Sequence, residues 1–228
     1  MAAVSVSFAG HALALLPCGA AYWPAEQLLL VADLHLEKGS HFARRGFLLP
    51  PHDTVETLAR IAAALEATGA RRLVALGDSF HDPGGLARMS APARGRLDAL
   101  LARVSWTWIA GNHDGVAAAG LGGTSAETLE VAGVLLRHEA DPRESLPEIS
   151  GHFHPRVALP LRTGRRAVRR CFALGNRRLV LPAYGAFAGG LDIGDPAFAL
   201  LGPGREALVP TTSGLVRLPV ATPACHAA

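Results

Sequence analysis

Lysine is nearly missing from this 228-residue chain: Lys38 is the single lysine among 22 basic residues, and the rest are arginines. A GC-rich genome accounts for much of such a bias, so it says little alone. Aromatic residues make up only 6%, which argues against a nucleic-acid binder built from stacking platforms. Cysteine is scarce and unpaired. Cys18, Cys171 and Cys225 lie far apart without a CxxC pair, which excludes a disulfide framework and a thiolate metal site and fits a reducing cytoplasm. No apolar run reaches the length of a membrane span. The apolar N-terminal stretch lacks a basic flank and alternates like a strand, unlike a signal peptide. Acidic residues are missing from one long stretch, between Glu148 and Asp192, where eight arginines fall: Arg156, Arg162, Arg165, Arg166, Arg169, Arg170, Arg177 and Arg178.

Half the residues are hydrophobic, enough for a sizeable core and against a disordered chain. Glycine (25) and proline (16) are frequent but aperiodic, as in many short elements joined by tight turns. Leu28 to Ala32 reads as a buried strand ending at Asp33. Residues 54–68 place Val55, Leu58, Ile61, Ala62 and Leu65 on one helical face, with Asp53 and Glu56 spaced as a capping box and Gly69 as the stop. Arg71 to Leu76 is a second strand. Ser90 and Pro92 open a second helix, and Val104 to Ala110 is a third strand. Two strands around Ala132-Gly133 lead to His138, and the remainder is strands and turns. The expectation is one α/β domain spanning residues 1–228, with Cys171, Trp106 and Trp108 in its core.

The informative fact is where polar residues fall. Expected strand ends carry Asp33-Leu34-His35, Gly77-Asp78, Gly111-Asn112-His113-Asp114, His138 and Gly151-His152-Phe153-His154. In open α/β sheets, ligands gather beyond the carboxyl ends of strands, so motifs distant in sequence can converge there. Two divalent ions a few ångströms apart need a bridging carboxylate, with imidazoles and amide oxygens completing each shell. Each motif alone is ordinary, whether as a surface pair, a turn or a core histidine. Their succession in one small domain is not.

This order of motifs resembles the calcineurin-like metallophosphoesterases, whose fold is a two-sheet β-sandwich flanked by α-helices. The runs Asp33-Leu34-His35-Leu36-Glu37-Lys38-Gly39, LGDSFHD at 76–82, WTWIAGNHD at 106–114, GHFHP at 151–155, Arg170-Cys171-Phe172 and LPAYGAFAGGL at 181–191 narrow the likeness to the bacterial PdeM family. Its members are named ligase-associated DNA damage response endonucleases. The likeness runs from Phe8 to Leu218; Glu37 stands where part of the family has glycine, which affects no ligand. It implies one ion held by Asp33, His35, Asp78 and His154, and a second by Asp78, Asn112, His138 and His152, with Asp78 shared. His113 would be the acid beside the leaving oxygen, and Asp114 would orient His113 or its loop. His138 carries the weakest flanking motif. His11, His41, His52, His81 and His226 match no ligand position and are assigned surface or local hydrogen-bonding roles. The donor set suits Mn²⁺, with Fe, Co or Zn as alternatives.

The substrate is less sharply indicated. The eight arginines could form a track for a phosphate backbone, or could simply point into water from alternate strand positions. Arg44 and Arg45 could meet a substrate phosphate or cap a loop. The first expectation is a DNA phosphodiesterase, and from the resemblance alone an endonuclease in DNA repair, partnered by a DNA ligase and a metallo-β-lactamase-type nuclease. Alternatives are a phosphatase or phosphodiesterase for a small phosphorylated metabolite or nucleotide, and a non-catalytic module of a repair complex.

Overall fold

The computed structural model describes residues 3–50, 52–113, 120–211 and 214–220. The alternating N-terminus becomes a hairpin of β1 (Val4–Phe8) and β2 (His11–Leu15), which bury Val6, Phe8, Leu13 and Leu15 on one face. The strands β3 (Ala21–Trp23), β4 (Leu28–Val31), β5 (Arg72–Leu76), β6 (Ser105–Ile109) and β7 (Thr124–Ala126) extend it into a seven-stranded sheet in sequence order. The first four strands pair antiparallel, and β4 to β7 run parallel. Strand β4 is buried on both faces, which explains its unbroken apolar run.

A second sheet contains β8 (Thr128–Val131), β9 (Val134–Arg137) and β10 (Glu148–Ser150). The chain then makes a separate hairpin of β11 (Arg156–Pro160) and β12 (Arg166–Arg170). It returns as β13 (Phe172–Leu174), β14 (Arg178–Val180), β15 (Glu206–Thr211) and β16 (Gly214–Pro219), giving the order β16-β15-β13-β14-β10-β9-β8. Strands β9, β10 and β14 are mutually parallel. The turn between β8 and β9 is Ala132-Gly133, both at positive φ, the geometry a two-residue hairpin needs.

The helices are α1 (Lys38–Ala43), α2 (Asp53–Thr68), α3 (Gly85–Arg88) and α4 (Ala91–Arg103). Strand alternation divides the apolar residues between layers. Leu28 and Leu30 face inward with Phe8, Val74 and Ile109 to meet Leu136, Ile149, Phe172 and Leu208 of the second sheet. Leu29 and Val31 face outward with Leu73, Trp106 and Trp108 against α2 and α4. A third cluster, Cys171, Val180, Phe198 and Leu201 among it, covers the outside of the second sheet. The architecture is therefore the expected two-sheet sandwich with helices. Trp106 and Trp108 are core, as read from the sequence.

One detail differs. Helix α2 is not closed by a capping box: His52 occupies the cap with φ +80 and no side-chain bond. Asp53 turns away, and its Oδ2 accepts from the Gly39 N–H at 2.9 Å, tying α2 to α1. A tertiary bond has displaced the local one. The other ends behave as expected: Gly69 closes α2 at φ +66, and the Ser90 hydroxyl accepts from Ala93 at the start of α4. Among the described residues no helix is long and apolar enough to cross a membrane.

Candidate metal centre

The carboxyl ends of β4, β5, β6, β9 and β10 lie at one edge of the sandwich, and each delivers one of the polar motifs. Backbone bonds lock them together. The Asp33 N–H donates to Gly77 O, the His35 N–H to Asp78 O, and the Gly151 N–H to His138 O. Five of the non-glycine motif residues have positive φ: Asp33 (+52), His35 (+43), Asp78 (+47), His152 (+69) and His154 (+48). Left-handed backbone at non-glycine residues costs on the order of 1–3 kcal/mol each and persists only where the surroundings over-determine it. Here it turns consecutive side chains toward one point as each strand ends.

That point is a buried cluster. Ligand atoms of Asp33, His35, Asp78 and His154 all lie within 4.8 Å of one another. His154 Nε2 is 3.3 Å from Asp33 Oδ1 and 3.3 Å from His35 Nε2, and Asp33 is fully buried. The His35 imidazole is pushed down to about 2, first by burial and then by His154, Lys38, His81 and His113. It is therefore neutral, with a lone pair for a cation. Its Nδ1 is buried without a hydrogen-bond partner.

A second group adjoins the first across Asp78. His138 Nδ1 donates to Leu76 O at 3.0 Å, so its Nε2 carries the lone pair. That Nε2 lies 3.6 Å from Asp78 Oδ1 and 3.1 Å from His152 Nδ1. The Asn112 amide lies 3.4 Å from the same His152 nitrogen. Burial lowers His152 as well. Imidazole nitrogens 3.1 Å apart beside a carboxylate are held by a shared proton or cation. The first group is thus made of the donors a hard or borderline divalent ion takes, and its residues fit such an ion. Glycines allow the close approach: a side chain at Gly151 would meet Asp33 Oδ2 at 2.5 Å, and one at Gly77 would overlap the His138 ring.

His113 stands at the mouth, half exposed, with its N–H donating to Asp78 Oδ1 at 2.9 Å and its Nε2 3.9 Å from Asp78 Oδ2. Asp114, Cys225 and His226 lie outside the described residues. His11 and His41 have the local roles expected, His11 against Ala132 O and His41 against Asp82. His52 is exposed at the start of α2. His81 does not fit that expectation. Its ring stacks on His113 at 5.8 Å and 12° and meets His35 edge-on at 5.6 Å, so it forms a wall of the site. Burial, Lys38 and the neighbouring histidines push it down to about 4. The one signal for it in the sequence is its position three residues after Asp78.

The arginines are dispersed by the fold. Arg44 and Arg45 are exposed at the end of α1, and Arg165, Arg166 and Arg169 are exposed at the end of the β11–β12 hairpin or along β12. Arg170 is not an open backbone contact. Its guanidinium donates to the carbonyls of Ala183, Gly185 and Ala186, and so organises the loop within the LPAYGAFAGGL run. Arg178 likewise serves the fold, paired to buried Glu148 at 2.8 Å.

No protein-family model matches the chain, and no curated protein sequence matches it. Solved structures do. The crystal structure of Pseudomonas putida nuclease MPE matches with a TM-score of 0.75 and 27% identity, covering 95% of this chain and all of that one. YfcE, a phosphoesterase from E. coli, matches with a TM-score of 0.45 and 16% identity over 85% of this chain and 99% of that one. The two-sheet sandwich with its ligand-bearing strand ends is the calcineurin-like metallophosphoesterase fold.

Proposed function

We propose that this chain, a metal-dependent hydrolase of phosphate esters by its fold and its buried ligand cluster, cuts phosphodiester bonds in DNA. The observation that carries the reading is the buried cluster of Asp33, His35, Asp78 and His154, with His138 beside Asp78 and His113 exposed at its mouth. Likeness to nuclease MPE supports the polynucleotide substrate. One ion would sit among Asp33, His35, Asp78 and His154, and another among Asp78, Asn112, His138 and His152, Mn²⁺ being best suited to these donors. Such ions, when bound, lower the pKa of water and offset charge on phosphoryl oxygens. The chain's own contribution is to hold the imidazoles and two carboxylates in place before substrate arrives. Asp78 fixes the His113 backbone, which sets that imidazole at the mouth to hand a proton from Nε2 to the departing oxygen.

The PdeM resemblance extends the proposal to endonucleolytic cutting in bacterial DNA repair, in the cytoplasm, beside a DNA ligase and a metallo-β-lactamase-type nuclease. Exposed Arg44, Arg45, Arg165, Arg166 and Arg169 supply positive charge for the backbone. The test is to load metal-stripped protein with Mn²⁺ and offer circular single-stranded DNA, bis(p-nitrophenyl) phosphate and nucleotide monophosphates. Linearised circles are expected, with loss in Asp78→Asn and His113→Ala. Intact circles with hydrolysed nucleotides would overturn the DNA reading in favour of a small phosphorylated metabolite.

A further inference from the structure

A cleft of about 330 Å³ opens beside the metal centre, lined by Pro17, Cys18, Gly19, Arg156, Val168, Arg169, Arg170 and Pro182. Topology places it on the same edge as the ligands. Strand β3 runs antiparallel to β4, so the turn before it, which holds Cys18 and Gly19, lies at the carboxyl end of β4. Strand β14 runs parallel to β10, so Pro182, just beyond β14, lies where His152 and His154 emerge. Arg156 follows His154 by two residues, and Gly190 packs against both the His154 carbonyl and the Arg156 stem.

The cleft is basic, and the carboxylate that acts on Arg170, that of Glu56, lies outside its lining. Three of its lining residues are arginines and none is acidic. The Arg156 Nε is buried without a hydrogen-bond partner. Arg169 makes one bond, to Val168 O, and Arg170 is committed to three carbonyls, which neutralise no charge. Asp192, whose backbone pairs with Arg156, accepts at Oδ1 from the Gly194 N–H instead. Arg60 adds a fourth guanidinium nearby, and burial together with Arg60 and Arg156 lowers Arg170 to about 10. A half-buried guanidinium whose Nε is withdrawn from water without a partner, set among like charges, is stabilised by an anion.

We infer that this cleft seats a phosphate of the substrate chain next to the one being cut, held by Arg156 and Arg169 with Arg170 behind them. The inference rests on the polynucleotide reading above and deepens it, since a substrate with a single phosphate cannot use the cleft. It also names Arg156 and the Cys18-Gly19 turn, rather than the hairpin tip, as the place where the backbone is gripped.

The full chain loaded with Mn²⁺ would be compared with Arg156→Gln and with Val168→Glu, which places a carboxylate on the rim at a half-exposed position. The ratio of kcat/KM on an oligonucleotide to that on bis(p-nitrophenyl) phosphate is expected to fall about tenfold or more in each. In an Asp78→Asn background, the salt dependence of oligonucleotide binding should lose about one counterion per lost contact. A ratio and a salt slope unchanged in both variants would overturn the inference. Competition by millimolar inorganic phosphate separates sources: if it binds through Arg156 and the oligonucleotide does not, the cleft takes free phosphate and the inference fails. An oligonucleotide that binds through the cleft yet is left uncut by the parent protein would refute the nuclease reading while upholding the cleft.

Discussion

Gly111 gives the sharpest test of how the centre is built. A methyl group there would fall on the Asp78 backbone nitrogen, 2.5 Å from Asp78 Oδ1 and 2.9 Å from its Cα. The obstructing atoms are backbone and a buried carboxylate, so neither can rotate away. Two terms follow. Overpacking costs about 1–3 kcal/mol. Losing the bond from the His113 N–H to a carboxylate adds about 1.5–3 kcal/mol. For a chain of this length each kcal/mol moves Tm by about 2–4 °C, so Gly111→Ala should melt roughly 5–24 °C lower. Catalysis should suffer more, because moving a reacting group by about 1 Å can cost about a hundredfold, and Asp78 belongs to the buried ligand cluster. The assays are differential scanning calorimetry, manganese content after dialysis, and kcat/KM on bis(p-nitrophenyl) phosphate. A variant with parental Tm and full manganese content would show that the Gly111 loop does not press on Asp78 and would refute the close-packing account.

Gly95 offers the opposite sign: it lies exposed within α4, and a methyl group added there would find no neighbour within 4 Å, so Gly95→Ala should stabilise by about 0.5–1 kcal/mol in urea unfolding. Arg178→Met would leave the fully buried Glu148 carboxylate with Arg137 and the Asp141 N–H, both on its Oε1, and should cost about 3–5 kcal/mol, read as a lower urea midpoint. Asp82 is held well below the usual carboxylate range, first by its bond to Arg88 and then by His41 and the Gly84 N–H. That stabilisation is complete above the unfolded-state pKa of about 4 and disappears as pH falls through the folded value. Asp82→Asn should therefore flatten the loss of Tm on acidification, and an unaltered profile would count against it. Burial and Asp192 push the Cys171 thiol up to about 12. Peptide mapping after iodoacetamide treatment of native protein should find Cys18 labelled and Cys171 not, until denaturant is added.

The expected β-α-β-α-β order, the Ala132-Gly133 hairpin, the cap at Ser90 and the stop at Gly69 all hold, because each depends on periodicity or on a backbone preference within a few residues. The Asp53 capping box does not. The same carboxylate has a partner in α1, and sequence spacing carries no information about competition between a local and a distant donor. His81 escapes a reading of the sequence for a related reason. Its flanks look like a turn, and only the approach of β6 brings His113 onto its ring. Arg170 reads in sequence like its exposed neighbours, although strand alternation sends its guanidinium inward to three carbonyls while Arg169 faces water.

Residue type and order alone determined that polar donors would cluster at successive strand ends, because the alternation of short apolar runs with Asp, Asn and His is local and survives any packing. Tertiary structure decided the rest. It placed Asp78 between His35 and His138, set the His138 tautomer through Leu76 O, and gathered Arg156 with Arg169 around an acid-free cleft. Those relations join residues far apart in the chain. They depend on which strands lie side by side and on how far each side chain is withdrawn from water, and a linear spacing encodes neither.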